Sequence, residues 1–353
     1  MPFDLRTQAA RDIQERARSS VAAWLFTLCF MLLVMVSLGG ATRLTGSGLS
    51  IMEWDPIMGA LPPWTETEWN RLFALYQQIP QYKLVHDGFG LDGFKQIFWL
   101  EWMHRFWGRM MGLVLAGPLL WFGLRRALPG WLIRRMALLL VLGGAQGGVG
   151  WFMVASGFEA DSTAVSPYRL VLHLTLALSL YAALFWTAMT VWRDGARKPF
   201  FVPPMLRMAS LLLTVLVSLT IVAGGFVAGL KAGLTYNTFP LMDGHLVPEG
   251  WAMLTPWWKN LFENIPAVQF DHRALATLSA ATGLLVVFYG QLTGPNTAVR
   301  TALGLVGGAV VLQYLLCVAT LLYVVPVSLG TLHQAGAVLL LTAAVALRHV
   351  LRR

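Results

Sequence analysis

Eight long stretches of apolar residues, separated by short polar segments or by loops, run along the 353-residue chain. A membrane-spanning α-helix needs about 20 predominantly apolar residues, and each stretch is close to that length. The pattern therefore predicts an all-α polytopic membrane protein. The predicted spans are residues 21–40, 100–124, 134–155, 169–191, 206–229, 272–292, 299–323 and 327–348.

The composition supports a membrane location. Hydrophobic residues make up 57% of the chain and charged residues only 12%, whereas a soluble domain carries about 25% charged residues. So few charges cannot cover the surface of a soluble protein of this length. The composition excludes cytosolic enzymes and disordered scaffolds.

The net charge of +9 reflects topology rather than nucleic-acid binding. If the N-terminus is cytoplasmic, that side of the membrane holds 16 of the 26 basic residues and four of the 17 acidic ones. Basic residues concentrate in cytoplasmic loops of membrane proteins. We therefore expect both termini in the cytoplasm, the lipid bilayer as a partner, and no nucleic acid.

The chain contains an internal repeat. GGATRLTGSGLS begins at Gly39 and GGFVAGLKAGLT begins at Gly224, an offset of 185. Further equivalent pairs follow at smaller offsets, as expected when the loops differ in length: His104-Arg105 with His272-Arg273, Gln146 with Gln313, and His173 with His333.

Four spans separate the two copies, so both have the same orientation in the membrane. This predicts eight transmembrane helices arranged as two pseudo-symmetric four-helix bundles. The expected organisation is a cytoplasmic tail (1–20), an N-terminal half (21–192), a cytoplasmic linker (193–205), a C-terminal half (206–349) and a second tail (350–353). The long loops near 41–99 and 230–271 are expected to be ordered caps on the outer face, although simple membrane anchoring by their tryptophans is the alternative.

Four of the seven histidines fall at one depth, near the outer ends of the even-numbered spans. His104 and His173 lie in the N-terminal half, and His272 and His333 lie in the C-terminal half. A lone histidine in a span often forms only a hydrogen bond between helices. Two symmetric pairs instead indicate metal or heme ligation, because ionisable groups inside membranes are costly and usually functional.

Heme iron suits these pairs better than zinc or a di-iron centre does. Two imidazoles on facing helices match the two axial positions of a heme, whereas di-iron bundles use several carboxylates. Arg105, Arg109 and Arg273 lie close to the histidines and could bind heme propionates. Their alternative role is to extend toward the membrane interface.

The repeat is asymmetric at one acidic position. Glu101 precedes His104 by three residues, on nearly the same helical face, and Gln269 occupies the corresponding position before His272. A carboxylate beside one ligand pair indicates a reactive site with a proton acceptor or a group that stabilises developing charge. A helix-start carboxylate paired with an arginine is the alternative.

Several motifs together resemble the heme A synthase family over residues 21–349. They are EWMHRFWGR (101–109), GGATRLTGSGLS, LVLHLTLAL around His173, FDHRALA around His272 and TLHQAGAVLL around His333. The resemblance implies a membrane-bound oxidoreductase that converts the C8 methyl of heme O to the formyl of heme A for terminal oxidases. The implied sites lie near the periplasmic face.

The resemblance also implies roles for the two halves. A resident heme b would be ligated by His272 and His333, while Glu101, His104 and His173 would form the catalytic half that binds heme O and heme A. A heme O synthase and an electron-transfer protein are the implied partners, and a homo-oligomer is left open. One branch of the family has a cysteine pair in its first outer loop, which this chain lacks.

Some alternatives remain open from the sequence. A di-heme electron-transfer protein of the cytochrome b kind, or a heme carrier or chaperone, would also explain four histidines. Cys29 and Cys317 lie in predicted spans, so we expect neither a disulfide nor a cysteine metal site. His86 and His245 are interpreted as loop residues, with copper or propionate contacts as an option, and His349 as part of a solvated helix end.

Overall fold

The computed structural model describes residues 5–160, 162–193, 200–293 and 296–352, with side chains described from residue 18 onward. These residues form α-helices and short 3₁₀ turns, and no β-strand occurs among them. Residues 194–199 of the predicted linker and the extreme ends of the two predicted tails lie outside the described residues. The helices are α1 (Leu5–Leu44), α2 (Glu66–Tyr76), α3 (Pro80–Val85), α4 (Leu91–Leu124), α5 (Gly130–Ala155), α6 (Pro167–Trp192), α7 (Pro204–Gly229), α8 (Asn260–Glu263), α9 (Ile265–Thr293), α10 (Thr297–Leu322) and α11 (Val327–Val350).

Eight helices are long and apolar enough to cross a membrane: α1 from Arg18 onward, α4, α5, α6, α7, α9, α10 and α11. The all-α class and the eight predicted spans are therefore confirmed. Several helices begin with residues that favour the first turn of a helix. Proline occupies the first turn of α6 and α7, and the Asn296 side chain accepts a hydrogen bond from the Val299 amide at the start of α10.

Three helices begin earlier than the hydropathy pattern predicts. Helix α4 starts at Leu91 rather than near residue 100, α9 starts at Ile265 rather than 272, and α1 continues back to Leu5. The first turns of α4 contain Asp92 and Lys95, which lower the hydropathy of the segment. Phe94 on these turns is fully buried against the first outer loop, so protein packing rather than lipid stabilises this part of the helix.

The first outer loop is an ordered cap. Helices α2 and α3 pack on the start of α4 around Tyr76 and Phe94, both 0% exposed. Arg71 bridges Glu53 and Glu68 with N–O distances of 2.8 Å. Its hydrogen bonds lower the pKa of the Glu53 carboxyl. The loop is thus held by aromatic packing and by charged groups at its surface.

Helices α1, α6, α7 and α11 form the centre of the molecule. They contribute fully buried residues to one hydrophobic cluster, namely Leu25, Ala188, Leu213 and Leu347. Helices α4 and α5 pack on α1 and α6, and helices α9 and α10 pack on α7 and α11. The central helices therefore join two groups of four, one from each half of the sequence.

Equivalent contacts recur where the halves meet. A Cβ on Gly40 of α1 would overlap the amide end of the Gln334 side chain of α11, and one on Gly225 of α7 would lie 3.0 Å from Val171 of α6. Arg43, at the end of α1, also donates to the carbonyl oxygens of Ala228 and Gly229 at 2.9 and 3.1 Å. A pseudo-symmetric relation between whole bundles stays a prediction.

The interpretation of His349 as part of a solvated helix end is wrong. Its side chain is buried between α11 and α6, with the residue 1% exposed. The Nε2 atom lies 3.2 Å from the Thr190 hydroxyl, and the ring packs edge-on against Trp186 at 4.9 Å. The last turn of α11 is covered by a neighbouring helix that the local sequence does not reveal.

Candidate functional site

The C-terminal histidine pair comes together across the bundle. His272 of α9 and His333 of α11 have ring centroids 6.4 Å apart, with the ring planes at 88°. Metal–imidazole bonds are about 2 Å long, so two rings on opposite sides of one metal have centroids roughly 6 Å apart. The observed separation fits a metal ion between the two rings.

The environment of His272 leaves one nitrogen available for a metal. Its Nδ1 atom lies 3.0 Å from the Thr220 carbonyl oxygen, which can only accept a hydrogen bond, so Nδ1 carries the proton. This leaves Nε2 with its lone pair. Gly224 faces the ring, and a Cβ there would lie 2.9 Å from Cε1. Glycine at this position therefore allows α7 to approach the imidazole.

A glutamine on the neighbouring helix contacts His333. The Gln313 Nε2 atom lies 3.1 Å from His333 Nδ1 and donates to the His333 carbonyl oxygen at 3.0 Å. The Gln313 Oε1 atom is buried without a hydrogen-bond partner among the described residues. The bond to the His333 carbonyl oxygen fixes which end of the amide faces the ring, so Gln313 meets Nδ1 through its N–H group.

The N-terminal pair has matching neighbours. A Cβ on Gly39 would lie 3.1 Å from His104 Nε2, and one on Gly150 would lie 3.0 Å from His173 Cε1. Gln146 Nε2 lies 3.0 Å from His173 Nδ1 and 2.8 Å from its carbonyl oxygen, and Gln146 Oε1 is buried without a partner in the described part of the chain. In each half a glycine thus faces one histidine, Gly39 or Gly224, and a glutamine contacts the other, Gln146 or Gln313.

Glu101 is buried, at 2% exposure, beside the N-terminal pair. Its Oε2 atom accepts hydrogen bonds from the Ser50 amide and hydroxyl, both at 2.7 Å, and from the Ile51 amide at 3.0 Å. Its Oε1 atom accepts from Arg105 at 2.6 and 3.0 Å. The carboxylate therefore connects helix α4 to the first outer loop.

The arginines near the histidines also contact the outer loops. Arg105 donates to the carbonyl oxygens of Ile51 and Glu53 at 2.7 and 3.0 Å. Arg109 donates to the carbonyl oxygens of Asp55 and Pro56 at 2.6 and 2.9 Å. Each guanidinium therefore fixes backbone of the first outer loop above the histidine pair.

The C-terminal half repeats this arrangement without the carboxylate. Arg273 donates to the carbonyl oxygens of Tyr236 and Thr238 at 2.6 and 2.8 Å, the positions equivalent to Ile51 and Glu53. Gln269, 2% exposed, donates to the Tyr236 carbonyl at 3.0 Å, and its Oε1 atom has no hydrogen-bond partner within the described ranges. An amide with one hydrogen bond thus takes the place of a carboxylate that accepts five.

The expectation that no cysteine lies in a metal-binding arrangement is wrong for Cys317. Its sulfur and one ring nitrogen each of His272 and His333 all lie within 4.8 Å of one another. The repeat contains a signal for this position. Cys317 aligns with Gly150 at the offset of 167 and follows Gln313 by one helical turn, on the face that contacts His333.

The remaining loop histidines lie in the outer segments, as expected. His86 Nδ1 lies 2.6 Å from the Tyr76 hydroxyl, which also donates to Gln81 Oε1 at 3.0 Å. Burial lowers the pKa of His86, so its neutral form is favoured. His245 is exposed, 3.9 Å from Glu249. In the contacts described, neither residue touches any of the four histidines in the membrane-spanning helices.

Comparison with known proteins agrees with this architecture. The family model described as cytochrome oxidase assembly protein matches residues 22–345. A protein named heme A synthase from Granulibacter bethesdensis is 61% identical over 345 residues, which cover 98% of this chain and 91% of that protein. Proteins with the same name from Nitrosospira multiformis and Paramagnetospirillum magneticum are each 44% identical, covering 97% and 99% of this chain and 96% and 98% of theirs.

The fold defines a multi-pass membrane protein, and the packing of its C-terminal helices brings two histidines together. The family model, which matches residues 22–345, identifies the protein more narrowly than the fold does. The chain belongs to the cytochrome oxidase assembly protein family.

Proposed function

We propose that this protein is a heme A synthase that oxidises the C8 methyl group of heme O to the formyl group of heme A. The observation that carries the proposal is the 61% identity over 98% of the chain to a protein of that name. The two histidine pairs, and Glu101 as the one carboxylate that is buried among the described residues, agree with a heme substrate and a reactive site in one half only.

The C-terminal half is proposed to hold a resident heme b through His272 and His333. The 6.4 Å separation of the two rings leaves room for one iron, which both imidazoles would hold. When bound, heme b would supply a one-electron redox centre.

The N-terminal half is proposed to bind heme O as substrate and heme A as product. His104 and His173 would hold the porphyrin iron, and Gln146 would orient the His173 ring through Nδ1. Arg105, Arg109 and Arg273 are proposed propionate contacts. Their donors also hold loop carbonyl oxygens, so the loops and the propionates would share these guanidinium groups.

Glu101 is the proposed acid–base or charge-stabilising group of the substrate site. Five hydrogen bonds fix both its oxygens before any substrate binds. A carboxylate held this rigidly stays in place as charge develops nearby, without having to reorganise. Ser50 donates through its hydroxyl and Arg105 through its guanidinium, so these two residues would set the position of the carboxylate.

The proposed setting is the bacterial inner membrane, with cytoplasmic termini and both sites near the periplasmic face. The positive-inside distribution of basic residues supports this orientation. A heme O synthase that supplies the substrate and an electron-transfer partner are proposed to act with the protein, and a homo-oligomer is compatible with the proposal.

Pigment analysis tests the function. The chain is expressed with a heme O source in cells that lack heme A, and the extracted hemes are separated by chromatography. Heme A is the expected product. Stable b-type hemes with no new heme species would contradict the proposal and favour a di-heme electron-transfer protein. Bound heme O that is released unchanged would favour a carrier or chaperone.

A further inference from the structure

The C-terminal site contains a third group that can bind a metal. His272 lies on α9, Cys317 on α10 and His333 on α11, and their ligand atoms are all within 4.8 Å of one another. Three helices thus present two imidazoles and one thiol to one point. In the N-terminal half the position of Cys317 is taken by Gly150, which has no side chain to contribute.

The Cys317 sulfur, in the position it has in this structure, would overlap a heme bound by both histidines. A porphyrin whose iron lies between the two rings surrounds that iron on all sides in the plane between them. A sulfur within 4.8 Å of both nitrogens lies in the same region. The Cys317 side chain must therefore turn to another rotamer before the two histidines bind heme.

Two nitrogen donors and one sulfur donor suit zinc. Zinc is bound by histidine and cysteine in four-coordinate sites, and sites with three protein ligands keep one position for water. Tetrahedral bonds of about 2 Å place two imidazole centroids about 5 Å apart, so the two rings must move closer than the observed 6.4 Å when zinc binds. The Thr220 carbonyl fixes the His272 tautomer that exposes Nε2, which is the usual hydrogen bond behind a ligating histidine. Magnesium and calcium prefer oxygen ligands, which this group lacks.

We propose that His272, Cys317 and His333 form a zinc site that is occupied when heme is absent from the C-terminal half. Binding converts the Cys317 thiol to a thiolate and releases its proton to water, so uptake is stronger at higher pH. The zinc ion uses the same two histidines as the heme, so zinc and heme compete for them. The zinc site stands whether or not the protein is a heme A synthase.

Cobalt spectroscopy on the full-length protein tests the site. The protein is produced in cells that cannot make heme, purified in detergent and titrated with Co²⁺, then with Zn²⁺. A thiolate-to-cobalt charge-transfer band that Zn²⁺ abolishes is expected. Cys317→Gly, which restores the residue of the other half, should remove the band and weaken binding at least about tenfold, since even indirect partners contribute that much.

Cys29→Ala is the matched control. Cys29 is the other cysteine, it is buried in α1, and its replacement should leave the cobalt band unchanged. In this single-cysteine background, Zn²⁺ should slow maleimide labelling of Cys317, which tests the site without changing it. No thiolate band, equal cobalt binding after Cys317→Gly, or labelling indifferent to Zn²⁺ would overturn the proposal.

Competition between zinc and heme for the site provides a further test, measured as the rate of heme binding. Hemin added to the zinc-loaded protein should bind more slowly than to the metal-free protein, and Cys317→Gly should abolish the difference. Equal rates of heme binding with and without zinc would show that the ion does not use His272 and His333.

Discussion

The two halves of the repeat differ in how tightly their outer helices pack. In their most apolar 18-residue stretches, α4 and α5 of the N-terminal half bury 6% of residues, whereas α9 buries 22% and α10 11%. A Cβ on Gly143 of α5 would meet no atom within 4 Å. At the equivalent position α10 has Val310, which would be 2.7 Å from a Cβ on Gly283 of α9.

This difference suits different tasks for the two halves. The closer packing of α9, which carries His272, favours a cofactor that stays bound. Sparse packing beside His104 and His173 favours a ligand that enters and leaves through the helices. We propose that the same repeat provides both kinds of site, and that they differ in the size of the side chains at equivalent positions.

The largest expected effect comes from the histidine pairs. Replacing His272 or His333 with alanine should abolish the stable low-spin heme b spectrum, because one of two axial bonds is lost. Replacing His104 or His173 should remove heme A formation while that spectrum remains. Optical spectra of the purified variants and extracted pigments check both outcomes. Identical spectra for all four variants would contradict the proposal that the two halves have different roles.

A smaller but still large effect is expected for Glu101→Gln. The second half already has Gln269 at this position, buried at 2% exposure, so the fold accommodates an amide. The variant should bind heme b and heme O but accumulate heme O or a hydroxylated product. Loss of an acid–base group typically lowers rates by about 10²–10⁴-fold, which timed pigment extraction would measure.

Ser50→Ala is the control for the structural role of Glu101. It removes one hydrogen bond to the carboxylate, the 2.7 Å contact from the hydroxyl, but keeps the charge. Its rate should fall far less than that of Glu101→Gln. If Ser50→Ala and Glu101→Gln slow turnover equally, the carboxylate would matter for connecting α4 to the loop rather than for chemistry.

The smallest effects are expected at the arginines. Arg105→Gln and Arg273→Gln should each lower heme occupancy in their own half while membrane insertion stays normal, since charge-assisted hydrogen bonds are lost. Pigment content per protein measures the occupancy. Limited proteolysis of the outer loops separates the two roles: unchanged pigment with faster cleavage would assign both arginines to the loop carbonyls alone.

Much of the site followed from the sequence. The repeat paired His104 with His272 and His173 with His333 at decreasing offsets, and the structure places the equivalent residues Gly39 and Gly224, and Gln146 and Gln313, against these histidines. The hydropathy pattern located all eight spans because a span must match the bilayer thickness. It placed the starts of α4 and α9 too late, because those turns pack on protein instead of lipid.

The sequence by itself determined the helical class, the number of spans, the repeat and the residues that differ between its copies. These properties depend on length, hydropathy and position along the chain. Only the tertiary structure decided that Cys317 lies beside His272 and His333, that Glu101 binds Ser50, and that His349 is buried. Such contacts depend on which faces of distant helices meet, and that is fixed by the packing of the whole bundle.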